Sequence, residues 1–335
     1  MTEPSSTPKI YALHENPEWF PPFAEAFATE GLPMEEWLLT EGTIDLDSAP
    51  PEGIFWSRIS ASAHTRDHGL SKDYTRAVLS WLEAHGRRVV NGRRVLELEM
   101  SKVDQLTQLR AAGIATPRTV AAIGRDQILT AAKDFPTPFV TKHNQGGKGL
   151  GIRRFDDVAD LAEYVRSEEF EEPQDGITLI QEYVPPADGS ITRVELVGGE
   201  FVYAIRADTV RGGFQLCPAD ACEIDPDTGK PVIPPGATLA PEPGQSLFSL
   251  REGFDHPIVE QYLEFLRRVG VEIAGIEFIK TIDGRLLTYD VNTNTNYNGD
   301  VEAVAPRSGP RQIARYLGGL LREAYPSVQT VPAER

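Results

Sequence analysis

Gly275-Ile-Glu-Phe-Ile-Lys-Thr-Ile-Asp-Gly-Arg-Leu-Leu-Thr-Tyr-Asp-Val-Asn292 decides the reading of this chain. The Asp283-Gly284 pair signals a two-residue hairpin turn between two strands. With that turn, Glu277 stands directly opposite Asp290, and Asn292 returns to the same face two residues on. Ile276, Phe278, Leu287, Tyr289 and Val291 make up the other face, which reads as core. Carboxylates placed across a ladder repel each other, and a bound cation would remove that penalty. Ligands that are all oxygen point to Mg²⁺, with Mn²⁺ as the other choice, rather than zinc. A solvated hairpin face is the plainer alternative.

Length and charge narrow the setting. The chain has 335 residues and a net charge of −17, enough for two or three domains. Its Lys and Arg residues form no block, which argues against nucleic acid or an anionic membrane as partner. No apolar run approaches membrane-spanning length, and the polar start carries no signal peptide. The two cysteines, Cys217 and Cys222, are too few for a disulfide framework and read as free thiols of a cytoplasmic protein.

Outward from the hairpin, the chain divides into three units, 1–97, 98–180 and 181–335. The first alternates strands (9–14, 53–58, 88–91) with helices (17–31, 74–85), which implies a parallel sheet. The second opens with a helix capped by Ser101 and carries strands from Pro117, over 137–143 and over 152–155, with helices 127–134 and 157–166. The third has strands at 178–184, 191–197 and 201–207 and a Pro- and Gly-rich loop over 223–250. A helix at 257–269, the acidic hairpin and a helix at 312–324 complete it.

Several further residues could carry chemistry. Lys102 opens its helix, where the dipole also favours anions. Gln145-Gly-Gly-Lys-Gly-Leu-Gly151 joins two strands, so it is neither a P-loop nor a dinucleotide fingerprint, both of which need a following helix. Gly146, Gly147 and Gly149 would still let backbone amides approach phosphate, with Lys142 as a point charge. The strand holding Gln181, Glu182 and Val184 breaks at Pro185-Pro186, and Asp188 follows. Arg193 and Arg206 come out as close diagonals across the Gly198-Gly199 turn, a pair of cations for an anion. Arg58, His64 and Arg66 lie beyond a first-unit strand end, where α/β sheets bind ligands. Each has an ordinary surface alternative.

Together these residues resemble the ATP-grasp superfamily over roughly residues 98–325, about two-thirds of the chain's length. The order is Met100-Ser-Lys102, Gly113 to Pro117, Lys142 before the glycine loop, Gln181-Glu-Tyr-Val-Pro, then Glu277 and Asp290-Val-Asn292. Val90-Asn91 and Ile191-Thr-Arg193 look most like RimK-type carboxylate–amine (α-L-glutamate) ligases. The resemblance implies an ATP-grasp fold, α/β and α+β, behind a Rossmann-like pre-ATP-grasp domain. It implies ATP phosphates on Lys102 and Lys142 under Gly146–Gly151, adenine at Gln181, Glu182 and Val184, and ribose at Asp188. Glu277, Asp290 and Asn292 would hold two Mg²⁺, and Arg206, helped by Arg193, would stabilise the transferring phosphoryl group. Arg58, Arg211 and Asn294 are substrate candidates. Departures exist: Glu277 where Asp is common, Asp290 where Glu is commoner, and Gly275 where D-alanine–D-alanine ligases carry an arginine. The stretch Arg211 to Pro218 matches no substrate pattern.

The implied activity is ADP-forming ligation of a carboxylate to an amine through an acyl phosphate, on an amino acid or peptide, with a homodimer as the default assembly. The alternatives are an ATP-grasp kinase acting on a small metabolite and a silent nucleotide-binding module. No side-chain nucleophile is required, since catalysis is positioning and charge neutralisation.

Overall fold

The computed structural model describes residues 7–147, 149, 151–213 and 246–328. Cys217, Cys222 and most of the 223–250 loop lie outside the described residues.

The first unit is a four-stranded parallel sheet of β1 (Lys9–His14), β2 (Met34–Leu38), β3 (Gly53–Ser57) and β4 (Arg88–Val90), in the order β2-β1-β3-β4. Helix α1 (Pro21–Thr29) begins at a proline whose missing N–H costs nothing there. Helix α2 (Ser71–Ala84) turns Val78, Leu79 and Leu82 inward against Tyr11, Leu13 and Phe55. Two short helices follow, α3 (Arg93–Met100) and α4 (Lys102–Ala111). Ser101 caps α4 by accepting from the Asp104 N–H at 3.2 Å.

The second sheet is antiparallel, β5 (Thr119–Ile123), β6 (Phe139–His143), β7 (Arg153–Phe155) and β8 (Ile177–Glu182) in the order β5-β8-β6-β7. Helices α5 (Arg125–Ala132) and α6 (Val158–Arg166) cover one face and give this lobe its own core around Phe139, Phe155 and Leu161.

The third sheet holds β9 (Ser190–Val197), β10 (Glu200–Asp208), β11 (Phe248–Leu250), β12 (Ile273–Lys280) and β13 (Leu286–Asn292), in the order β11-β10-β9-β12-β13. One face packs on α8 (Ile258–Val269) through Tyr262, Phe265 and Leu266, side chains whose burial stabilises by roughly 1.5–3 kcal/mol each. Its other face packs on α1, the first sheet and α10 (Gly309–Ala324), with Trp56, Phe23, Ile191, Ile273 and Leu317 in one core. Two shorter helices, α7 (Thr209–Gly212) and α9 (Gly299–Val304), flank this sheet. Helices α3 and α4 share the α8-side core through Val95, Leu98, Leu106 and Leu109. The helix expected to open the second lobe therefore packs into the third sheet. No helix of the described residues is long and apolar enough to cross a membrane.

Both hairpins depart from the expected pairing. In β12–β13 the turn is longer: the Thr281 N–H donates to Arg285 O at 2.9 Å and Gly284 N–H to Thr281 O at 2.9 Å, with Gly284 at φ +84°. Three residues, Ile282 to Gly284, form this loop, which shifts the pairing by one and sets Lys280 against Leu286. A β-bulge then returns the register, so Glu277 does face Asp290. The extra residue is Tyr289. Between turn and bulge the side chains change face: Thr288 joins Tyr262 in the core at 2.6 Å, while Leu287 and Tyr289, expected on the core face, turn to the side of Glu277 and Asp290.

The β9–β10 hairpin also carries a bulge, between Phe201 and Tyr203, and nothing further along restores the register. Ile205 pairs with Arg193, and Arg206 pairs with Thr192. Arg206 therefore points away from Arg193. It stands with Thr192, and the nearest acid is Asp208 at 3.8 Å.

Candidate active site

The three sheets meet around a cavity of about 330 Å³. Its floor is the middle of the third sheet, where the otherwise apolar face turns polar at Arg193, Glu195 and Glu277. β13 is an edge strand whose free edge is covered by α4. Gln105 donates to Val291 O at 3.0 Å and accepts from Val291 N–H at 3.1 Å, which fixes the strand that presents Asp290 and Asn292. The second lobe is tied on through Asn144, which accepts from Val103 N–H at 2.8 Å with its side chain and from Lys102 N–H at 3.2 Å with its backbone carbonyl. That junction brings Lys142 of β6 beside Lys102 of α4. The first unit reaches the glycine-rich loop: Lys72 donates to Gln145 at 2.8 Å, and a Cβ on Gly147 would stand 3.4 Å from Ser62.

Glu277, Asp290 and Asn292 share one side of the ribbon. The Asn292 amide donates to Glu277 Oε1 at 3.3 Å, and the Tyr289 hydroxyl donates to Glu277 Oε2 at 2.7 Å. Lys102 Nζ donates to Asp290 Oδ1 at 2.5 Å. Arg193 is buried, with Nε on Glu195 at 2.6 Å, Nη1 on Glu277 at 3.1 Å and Nη2 on Thr295 at 2.5 Å. Its guanidinium fills the space over Gly275, where any Cβ would lie 2.5 Å from Nε. An arginine thus does stand above position 275, supplied by the neighbouring strand.

The charges are unevenly balanced. Burial opposes the Lys102 ammonium, but Asp290, Glu99 and Glu277 outweigh it and raise its pKa. Lys142 has no acid within ion-pair distance among the described residues. Burial, with Lys102 adding to it, pushes Lys142 down to about 7. Burial also raises the Glu277 carboxyl, against the pull of Arg193, while Lys102 keeps Asp290 below its ordinary value despite burial. Burial works against the Arg193 charge too, but Glu195 and Glu277 more than offset it and raise its pKa.

Lys102, Lys142, Gly146, Gly147, Gly149, Gln181, Glu182, Val184, Arg193, Glu277, Asp290, Asn292 and Asn294 all line this cavity. Six candidates do not. Arg206 is on the opposite face of its sheet. Asp188 closes the turn into β9, accepting from Ser190 N–H at 3.1 Å and from its hydroxyl at 2.6 Å, with Arg251 beside it. Arg211 donates back to Asp208 at 3.1 Å. Arg58 is buried under the cavity wall, 4.4 Å over the Phe23 ring, where burial lowers its pKa to about 10. It reaches the cavity only through Asn296, whose Oδ1 it contacts at 2.9 Å. His64 is outside the lining, and Arg66 pairs with Glu15 at 2.7 Å.

Sequence reading missed Glu99, Tyr289, Thr293, Thr295 and Asn296. The alternation Asn292-Thr-Asn-Thr-Asn296 carried a signal: Asn292, Asn294 and Asn296 line the cavity, while Thr293 and Thr295 bind Glu99 and Arg193.

No family model matches the sequence, and no curated relative matches it. Solved structures share its architecture over nearly the whole chain. The D-cycloserine synthetase DcsG superposes with a TM-score of 0.63 at 18% identity, covering 93% of this chain and 99% of that one. A RimK-domain ATP-grasp protein from Sphaerobacter thermophilus gives 0.63 at 18%, covering 92% and 98%. The ATP-grasp ligase PsnB, in complex with a minimal precursor, Mg and ADP, gives 0.60 at 16%, covering 92% and 96%. The chain has the ATP-grasp fold.

The PsnB structure holds Mg and ADP, and the residues present in this cavity would fit a nucleotide with divalent ions. Among the described residues no three His, Cys, Asp or Glu gather to hold a metal, because the third donor here is an amide oxygen. Two carboxylates and an amide make an all-oxygen set suited to Mg²⁺. The unpaired, buried Lys142 is what an incoming phosphate would complement.

Proposed function

We propose that the protein is an ATP-dependent, ADP-forming carboxylate–amine ligase acting on an amino acid or peptide. One observation carries this: Lys102 and Lys142, from different lobes, converge on a wall bearing Glu277, Asp290 and Asn292 beneath the glycine-rich loop. The PsnB complex, which holds Mg, ADP and a minimal precursor in the same fold, supports the reading.

A carboxylate is a poor acyl donor because oxide is a poor leaving group. ATP with Mg²⁺ would supply the phosphoryl group that converts it to an acyl phosphate, from which an amine displaces phosphate. The chain's residues bind and orient. Lys142 and Lys102 receive phosphate oxygens, Gly146, Gly147 and Gly149 let the backbone close on them, and Glu277, Asp290 and Asn292 hold the cations. Gln181, Glu182 and Val184 face the base. Arg193, locked by Glu195 and Thr295, holds Glu277 in place, and its charge stands beside the developing charge. Asn294 takes the substrate side.

A phosphate-release screen with Mg²⁺-ATP across amino acids, dipeptides and short peptides tests the proposal. Phosphate release that requires both a carboxylate and an amine is expected; ADP formed with a carboxylate or alcohol alone, the phosphoryl group staying on that substrate and no phosphate freed, means a kinase. Asp290→Asn is expected to abolish turnover while the far-UV circular dichroism stays that of the parent. Full activity in that variant would remove the metal assignment.

A further inference from the structure

Glu99 is a carboxylate on the cavity wall that no step above uses. It sits in the last turn of α3, three residues before Lys102. Its Oε2 accepts from both Thr293 N–H and Thr293 Oγ1, each at 2.8 Å. No hydrogen bond reaches its Oε1 among the described residues. The next residue, Asn294, also lines the cavity, and its Oδ1 is buried with no hydrogen-bond partner. A buried acceptor left unmade is costly: the Asn294 amide oxygen is one, and the Glu99 carboxylate, bound to the adjacent Thr293, keeps a second oxygen without a hydrogen bond among the described residues.

Acceptors of this kind call for a donor-only, positive group. An ammonium has three N–H donors and no acceptor. Glu99 supports the Lys102 charge from a distance, but among the described residues no cation donates a hydrogen bond to it: Lys102 donates to Asp290, and Arg193 is held by Glu195 and Glu277. Lys142 faces the phosphate side.

Resting on the ligase reading above, we propose that Glu99 and Asn294 receive the ammonium group of the incoming amine, so that the second substrate is a primary amine that arrives charged. The ammonium first gives one proton to solvent, and in the bond-forming step the neutral nitrogen attacks the acyl carbon. The C–N bond forms, the C–O bond to phosphate breaks, and the electron pair leaves on phosphate. The second proton, lost once the C–N bond has formed, goes with phosphate as HPO₄²⁻.

Hydroxylamine separates this inference from the reading it rests on. It is uncharged near neutral pH and traps an acyl phosphate as a hydroxamate without needing an ammonium site. The full chain is given Mg²⁺-ATP, each amino acid in turn as carboxylate, and hydroxylamine or a second amino acid as nucleophile. Wild-type protein should form hydroxamate; if it forms none, the ligase reading fails and takes the amine site with it. Glu99→Gln keeps an acceptor for Thr293 and removes only the charge. It should raise the half-saturating concentration of the amino-acid nucleophile about 10- to 100-fold, the worth of one charge-assisted hydrogen bond. Hydroxamate formation, Mn²⁺ affinity by calorimetry and thermal midpoint should stay those of the parent. Glu99→Asp, which keeps the charge, should recover part of the loss. Equal loss with both nucleophiles, a fall in Mn²⁺ affinity, or an unchanged amine half-saturation would each overturn the proposal.

Discussion

Lys142 makes the sharpest test of how the cavity is used. In the free protein its pKa is about 7, because burial removes it from water and Lys102 stands nearby. At pH 8 such a group is about nine-tenths neutral, one unit above its pKa. A triphosphate against it favours the charged form. If binding returns Lys142 to its ordinary value of 10.5, the complex takes up about 0.9 proton at pH 8, and protonation costs about 1.4 kcal/mol of the binding free energy there. The sign follows: affinity should weaken about tenfold for each pH unit between 8 and 10 and flatten below 7, where the lysine is already charged. The measurement is calorimetric titration with a Mg²⁺ complex of a non-hydrolysable ATP analogue at pH 8, in two buffers of different ionisation enthalpy. Lys142→Met should bind more weakly and take up no proton. Uptake near zero in the wild type, or uptake that survives in Lys142→Met, would refute the placement of phosphate on this side chain.

Two further predictions concern stability. His14 is buried in the first sheet, and burial, with Arg58 adding to it, lowers its pKa from 6.5 to about 4. Its unfolded form therefore binds the proton first. The stability it supports is full above about pH 6.5 and is lost as pH falls towards 4, up to roughly 3 kcal/mol from this group; urea unfolding at pH 7 and 4.5 should show a smaller acid loss in His14→Gln than in the parent, and equal losses would count against it. Asn91 sits at φ +53° and clips the first unit to the third sheet, donating to Ile273 O at 2.8 Å and accepting from Glu272 N–H at 3.0 Å. Asn91→Ala loses these bonds and keeps a strained backbone, so denaturant unfolding should show a loss of about 2–4 kcal/mol.

Much of the fold was legible because local signals agreed with the tertiary structure. Strand β1 runs over Lys9–His14 and helix α8 over Ile258–Val269, close to where hydrophobic periodicity puts them. Helix α3 was missed because its Arg-Arg-Val-Leu-Glu-Leu-Glu-Met run is short and follows directly on a strand. Strand β2, Met-Glu-Glu-Trp-Leu, is half exposed at a sheet edge and carries no apolar alternation. The lysines and the acidic ribbon were readable from order and spacing. Arg58 was not, because its aromatic surroundings come from α1, which only the folded chain brings beside β3.

The two hairpins show why pairing arithmetic succeeds in one place and fails in another. Side-chain facing along a strand has a period of two, so each one-residue shift in pairing exchanges the faces. In β12–β13 two shifts occur, one from the longer turn and one from the bulge at Tyr289, and they cancel beyond Glu277. The Glu277–Asp290 pair survives although the turn type was misread, and only residues between the two shifts exchange faces. In β9–β10 one shift occurs and nothing cancels it, so Arg206 is carried to the far face. A residue's facing is therefore secure only as far as the last uncompensated bulge, and neither Val202 nor Tyr289 differs in type from an ordinary strand residue. The arginine over Gly275 comes instead from Arg193, whose facing does not depend on that hairpin: it is fixed through β12, where Glu277 pairs with it directly.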